Sequence, residues 1–277
     1  MKGWKKLKNR DIKNASAMLR EMENDYVSAC ARFLEPDSSR VWKSEGKEGE
    51  ISALIINSRS TLLPVFFGNS GVPALKFLKS FLRPKNIHSV QGLKDEVLVI
   101  ENELDNLGMK KADLFDYELM SLDQKPLIKK NAALPGSFSL KAAQLTDLDK
   151  LAPLQAGYEK EEVLPEGSEF YPAASRANLK KIIANGKILA AELNGKLVGK
   201  INVSAVSFTR YLVGGVYVHP DFRGLGIAGA MAGSFISSLI DEGKGVTLFV
   251  KKNNTPARRL YISLGFKYRA DYRIAYY

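Results

Sequence analysis

The 277-residue chain contains a single cysteine, Cys30, and two histidines, His88 and His219. A lone cysteine forms no intrachain disulfide, and so few soft ligands exclude a multi-cysteine or cysteine–histidine metal cluster, so no metal is expected. With no histidine near it in sequence, Cys30 reads as a small buried hydrophobe rather than a nucleophile. Long apolar runs are also missing. Stretches such as Ile51 to Ile56 fall far short of the roughly 20 residues that a membrane-spanning helix needs. The basic opening, Met1 to Arg10, continues into Asp11 and Lys13 rather than into an apolar core and cleavage site. No secretory leader and no membrane partner are expected, and the cytoplasm is the expected compartment.

Positive charge, by contrast, is plentiful. The net charge of +11 is shared between the halves: residues 1–137 carry 22 basic and 18 acidic side chains, residues 138–277 carry 19 and 12. Basic pairs such as Lys129-Lys130, Lys180-Lys181 and Arg258-Arg259 are isolated doublets without interleaved aromatics, the pattern of a solvated basic surface. Nucleic acid is not an expected partner; a reading through the charge alone would require strongly salt-dependent binding.

From Phe138 the pattern predicts an alternating α/β domain in the order β, αα, βββ, α, β, α, β, hence a mixed sheet. Asn194-Gly195 is a two-residue hairpin signal joining strands at Lys187–Leu193 and Leu197–Ser204. A third strand, Arg210–His219, leads to a helix at about Gly226–Glu242, a strand Val246–Val250, a helix Thr255–Ser263 and a last strand Phe266–Tyr276. Residues 1–122 alternate too: a helix near Ile12–Glu23, strands at Ile51–Ser58 and Leu62–Phe67, a helix Val72–Leu82, a strand Ile87–Val90, a helix Lys94–Leu107 and a strand Ala112–Leu122. The segment between, with Lys129-Lys130-Asn131 and Pro135-Gly136, lacks periodicity. The expected division is therefore residues 1–125, a linker 126–137, and residues 138–277.

Chemistry concentrates after the strand Leu212–His219, where Arg223-Gly224-Leu225-Gly226-Ile227-Ala228 opens a helix. Glycines let backbone approach an anion and aim N–H groups at it, and the helix dipole favours negative charge there. The letters Gly224 to Gly229 also fit G-x-G-x-x-G, but fewer than about 50 residues follow, too few for a dinucleotide fold. The next strand moreover ends in Lys251-Lys252, not in an acid that would hold a ribose.

Arg223, Gly226 and Ala228 fill the Q/R-x-x-G-x-G/A signature of the GNAT superfamily of N-acetyltransferases. The stretch Asn254-Thr-Pro-Ala257-Arg-Arg-Leu-Tyr261-Ile-Ser-Leu-Gly265-Phe266 fills that family's N-x-x-A-x-x-x-Y-x-x-x-G-F. Residues 138–277 thus resemble a GNAT domain. The resemblance implies the GNAT acyl-CoA N-acyltransferase fold, with acetyl-CoA as cosubstrate and direct attack by the primary amine of a small molecule or peptide. It also implies that the amides of Gly224, Leu225, Gly226, Ile227 and Ala228 hold the pyrophosphate, with Arg223 as a phosphate contact. By the same resemblance Val216, Tyr217 and Val218 pair with the pantetheine arm, Asn254 and Ala257 border that arm, and Tyr261 gives the departing thiolate its proton. Gly214-Gly215 within the strand suits a bulge that admits the arm.

Alternatives stand beside these roles. Tyr261 could be a core tyrosine, Asn254 a helix cap, and Arg223 a surface arginine. For a base, Glu162 is the candidate from the cluster Glu159-Lys160-Glu161-Glu162, against a solvated helix face; His219, before a proline, reads as structural. The first half resembles a degenerate GNAT copy whose signature arginine and glycine spacing are missing at Gly68–Pro73. Its expected role is to shape the acceptor cleft or supply an oligomer surface, such as that of a homodimer. A non-catalytic acyl-CoA-binding regulator is the rival to an enzyme.

Overall fold

The computed structural model describes residues 4–35, 39–68, 87–127, 134 and 136–277. The first part holds β1 (Lys5–Lys6), α1 (Asn9–Glu21), α2 (Glu23–Phe33), β2 (Ser39–Glu45), β3 (Ile51–Ser58), β4 (Thr61–Phe66), β5 (Ser89–Leu93), α3 (Lys94–Asn106) and β6 (Asp113–Leu122). There follow β7 (Phe138–Ala142), α4 (Leu148–Tyr158), a π turn (Glu159–Val163), α5 (Pro172–Ala184), β8 (Ile188–Leu193), β9 (Lys196–Val206) and β10 (Arg210–Val218). The chain closes with α6 (Ile227–Asp241), β11 (Gly245–Lys251), α7 (Thr255–Ser263) and β12 (Lys267–Tyr276). The mixed α/β class expected from the sequence is the class observed. The helix expected at Val72–Leu82 and most of Gly68–Pro73 lie outside the described residues.

Two compact units emerge: Met1–Leu119 with Phe249–Asn253 and Tyr268–Tyr277, and Met120–Leu248 with Asn254–Lys267. This division differs from a cut at 126–137, because the last strand packs with the first unit. In that unit β2, β3 and β4 are antiparallel neighbours, β5 runs parallel to β4, and β12 pairs antiparallel with β5 from Tyr272↔Leu93 to Tyr276↔Ser89. Side chains hold β12 in place as well. The Arg273 guanidinium grips Asp116 of β6 through Nε at 2.7 Å and Nη2 at 3.1 Å, which together with Lys94 brings the Asp116 carboxyl down to about 2. Ala275 joins a core of Trp4, Trp42, Ile55, Leu62, Val90, Val97 and Ile100.

Besides the two-residue β1, two elements that the sequence does not announce belong to this unit. One is α2, entered through a kink at Tyr26. The other is β2, whose Lys43 is buried between Asp11 at 3.0 Å and Glu45 at 2.9 Å. Cys30 is buried, its thiol donating to the Leu19 carbonyl at 3.4 Å, and burial pushes its pKa well up.

The second unit repeats the succession of two antiparallel pairs and one parallel pair, here β8–β9–β10 and β10–β11, with β7 on the edge beside β8. The turn Asn194-Gly195 takes φ of 50° and 78°, the left-handed values that a tight hairpin demands. A core of Leu151, Leu154, Leu179, Ile183, Ala190, Leu197 and Tyr217 seats α4 and α5 on the sheet. Among the described residues, no helix is long and apolar enough to cross a membrane, and no group of three or more His, Cys, Asp or Glu could hold a metal ion.

Candidate active site

The turn after β10 has the shape that its glycines allow. Gly224 and Gly226 both sit at φ 80°, and residues 223–226 are exposed. A side chain at Gly224 would meet nothing within 4 Å, and one at Gly226 only Leu134 at 3.7 Å, so the surface above the turn is open. Gly226 is the N-cap of α6, no side chain caps the helix, and the Gly226 carbonyl takes its first helical bond from the Ala230 N–H at 3.1 Å. The amides of Ile227, Ala228 and Gly229 therefore lead the helix as orphan donors beside the positive end of its dipole.

Arg223 is placed differently from the expectation of a phosphate contact. Its Nε donates to the Val218 carbonyl at 3.0 Å, its Nη2 to Glu161 Oε2 at 2.8 Å, and the guanidinium lies over the Tyr217 ring at 5.3 Å. Tyr217 in turn donates its hydroxyl to Glu161 Oε1 at 2.7 Å. Partial burial opposes ionisation of Glu161, but the bonds from Tyr217 and Arg223 outweigh it and keep the carboxyl below its usual range. The three side chains fasten the π turn to the end of β10. The cluster Glu159 to Glu162 is thus not a continuous helix face: the wider turn sends Glu161 toward Arg223 and Glu162 toward Asn254.

Asn254 does two things at once. Its Oδ1 accepts the Ala257 N–H at 3.1 Å, capping α7, while its Nδ2 donates to Glu162 Oε1 at 3.2 Å. One helical turn beyond Ala257, Tyr261 is buried with its ring edge-on to Phe266. Burial first, then the negative potential of Tyr158 and Glu162, push its hydroxyl pKa well above the usual tyrosine value, so it keeps its proton at any physiological pH. Sequence candidates 92 residues apart, Glu162 and Asn254, are therefore in contact, with Tyr261 within the electrostatic reach of Glu162. His219 has a local role: its Nδ1 accepts the Asp221 N–H at 3.4 Å and its ring meets Phe222.

The bulge expected at Gly214-Gly215 is present. The β10–β9 register shifts between Gly214 and Tyr217, and Gly215 sits at φ 60°. Beneath it lies a residue that the sequence reading missed, Lys200 of β9, the largest fully buried side chain among the described residues. Its Nζ donates to the Gly215 carbonyl at 2.9 Å and to Asn202 Oδ1 at 3.4 Å, and stands 4.7 Å from the centre of the Tyr158 ring. Burial lowers its pKa to about 7, with the charge of Glu159 opposing. No sequence signal marks it: the apolar alternation Leu197, Ile201, Val203 puts Lys200 on the opposite phase of the strand, where a lysine is ordinary.

Residues 153–266, which contain the glycine turn, Asn254 and Tyr261, match the model of the acetyltransferase (GNAT) family. A search of curated proteins found no match. Solved structures align along almost the whole chain. A Drosophila protein aligns at TM-score 0.70 and 12% identity, covering 99% of this chain and 98% of its own. A GCN5-related N-acetyltransferase from Sphaerobacter thermophilus aligns at 0.64 and 17%, covering 99% and 94%. A tandem GNAT protein from the clavulanic acid biosynthesis pathway aligns at 0.57 and 12%, covering 99% and 97%. At such identities the structures establish the fold alone, and the family model, which covers the residues of the site, identifies the segment 153–266 as an acetyltransferase (GNAT) domain.

Proposed function

We propose that the protein transfers an acetyl group from acetyl-CoA to a primary amine of a small molecule or peptide, by direct attack and without a covalent enzyme intermediate. The observation that carries this reading is the contact of Asn254 with Glu162 at the start of α7, with the buried Tyr261 further along that helix within the electrostatic reach of Glu162, in a domain whose α6 N-terminus is uncapped by any side chain. Acyl transfer from acyl-CoA follows from the family; the acetyl group, the amine and the residue roles are our assignments.

The turn Gly224–Ala228 fits a diphosphate through backbone N–H groups rather than through Arg223, whose guanidinium is engaged with Glu161 and Val218. Val216, Tyr217 and Val218 offer backbone to the pantetheine arm. In the reaction the amine nitrogen bonds to the thioester carbon, the carbon–sulfur bond breaks, the nitrogen gives up one proton and the sulfur gains one. Tyr261, kept protonated by burial, supplies the sulfur's proton and recovers it from solvent. Glu162, held by Asn254, is the carboxylate assigned to the acceptor side. We assign the protein to the cytoplasm, and leave pairing of two copies to a sizing experiment.

The test couples binding to turnover. Acetyl-CoA should bind by calorimetry, and free thiol should appear when a panel of amines is offered. Tyr261→Phe should lower kcat by roughly 100-fold, the ordinary scale for a general acid, with acetyl-CoA affinity retained. Normal turnover by that variant would refute the assignment of Tyr261, and binding without thiol release from any amine would favour the regulator.

A further inference from the structure

We propose that Lys200 is a positioning residue of the acyl-transfer site: by donating to the Gly215 carbonyl it polarises the Gly215–Val216 peptide and strengthens the Val216 N–H as a donor to the thioester oxygen. The proposal rests on the acetyl-CoA reading above and adds a residue that the family signature does not contain.

The first observation is that packing does not explain the amine. Lys200 is wholly buried, and among the described residues no carboxylate forms an ion pair with it. A methionine would fill similar volume without burying a polar head, so the nitrogen needs a reason to be there. The second is the bond itself. The Nζ lies 2.9 Å from the Gly215 carbonyl inside the bulge. A Cβ on Gly215 would stand 2.8 Å from that nitrogen and 2.0 Å from Asn202 Oδ1, so only glycine leaves room for the lysine and Asn202 here.

The third observation is direction. The described chain has no cis peptide bonds, and in a trans peptide the C=O and N–H point opposite ways. The Gly215 carbonyl turns toward the Lys200 ammonium, so the Val216 N–H points away from that ammonium. The parallel pairing of β10 with β11 spans Arg210 to Val213, short of Val216. A charge-assisted bond to the carbonyl makes the N–H at the other end of the same peptide a stronger donor. A fixed donor aimed where a thioester oxygen gains negative charge lowers the barrier to attack.

The groups facing Lys200 permit its charge to vary. From α4 comes the Tyr158 ring and from the π turn the charge of Glu159. From β10 comes its register partner Tyr217, whose hydroxyl is committed to Glu161, from β8 the apolar Ala190, and from its own strand Asn202. Polarisation should therefore be greatest at pH 6 and fade as the pH rises through neutrality.

The experiment needs no acceptor. Acetyl-CoA labelled with 13C at the thioester carbonyl is bound to the full chain, and isotope-edited infrared difference spectra are recorded between pH 6 and 9. The bound carbonyl stretch should fall below that of free acetyl-CoA, and the displacement should shrink as the pH rises. In Lys200→Met and Lys200→Gln at pH 6 the displacement should drop by about half or more, while affinity changes less than about threefold, since the interaction strengthens chiefly with developing charge. A displacement unaffected by pH and by both substitutions would overturn the role of Lys200. If either variant fails to fold, the pH series on the natural protein decides alone. Failure of the natural protein to bind acetyl-CoA would instead overturn the cofactor reading, and this proposal with it.

Discussion

Replacing Lys200 by methionine should stabilise the protein below neutral pH and destabilise it at high pH. The folded chain holds this amine at a pKa of about 7, against 10.5 for an unburied lysine. Because the folded value is the lower one, the unfolded chain binds a proton that the folded chain refuses between those two pH values. Stability therefore falls as the pH drops from about 10.5 to about 7 and stays low beneath it, by roughly 5 kcal/mol at most. Methionine removes that cost. It also deprives the Gly215 carbonyl and Asn202 Oδ1 of a donor, a loss of about 1 to 3 kcal/mol. The net expectation is a gain of roughly 2 to 4 kcal/mol at pH 6 and a loss of about 1 to 3 kcal/mol near pH 11. Chemical unfolding of both proteins at the two pH values, followed by circular dichroism, measures the crossover. A variant less stable than the natural protein at pH 6, or a difference that ignores pH, would refute the reasoning.

Other substitutions probe the neighbouring contacts. Arg223→Ala should leave acetyl-CoA affinity within a few-fold, because the guanidinium is spent on Glu161 and Val218; a loss of two orders of magnitude by calorimetry would make it a phosphate ligand after all. The same variant should raise the Glu161 pKa. That carboxyl now sits below its usual range, so its contribution to stability is present above the unfolded carboxylate value and lost on acidification, and carboxyl-resolved NMR titration should show the loss moved to higher pH. Asn254→Ala removes both the cap of α7 and the bond to Glu162, which should cost about 1 kcal/mol in denaturant unfolding and raise KM for acetyl-CoA. Asn254→Asp should restore the cap while placing a second carboxylate against Glu162, so recovered stability without recovered turnover would separate the two roles.

Much of the second unit is legible in its residues because the signals are local. Asn194-Gly195 admits few conformations besides a tight hairpin, the glycine pair in β10 marks a bulge, and Asn254 before Thr255-Pro256 reads as a helix start. What escaped depended on partners remote in sequence. The run Ser39–Glu45 has too little apolar alternation to look like a strand, since Lys43 is accommodated by Asp11 from α1 and Glu45 from its own strand. Arg223 reads as a phosphate hook until Glu161, 62 residues earlier, is seen to hold it. Lys200 looks like any strand lysine, because only the bulge of the adjacent strand reveals that its nitrogen lies inside. The last strand, expected at Phe266–Tyr276, forms at Lys267–Tyr276, yet periodicity carries no information about which strand it pairs with.

That last strand has a consequence for the order of folding. The first unit includes residues from the opening of the chain and the ten-residue strand β12, bound to β5 along Tyr272 to Tyr276 and to Asp116 through Arg273. During synthesis its sheet must wait, incomplete beside β5, until the whole of the second unit has been made. The contacts that close it join residues more than 150 positions apart, the kind that fold slowly and expose strand edges meanwhile. The halves of this chain are therefore not separable beads. A ribosome that stalls before residue 267 holds a first unit still missing one of its own strands.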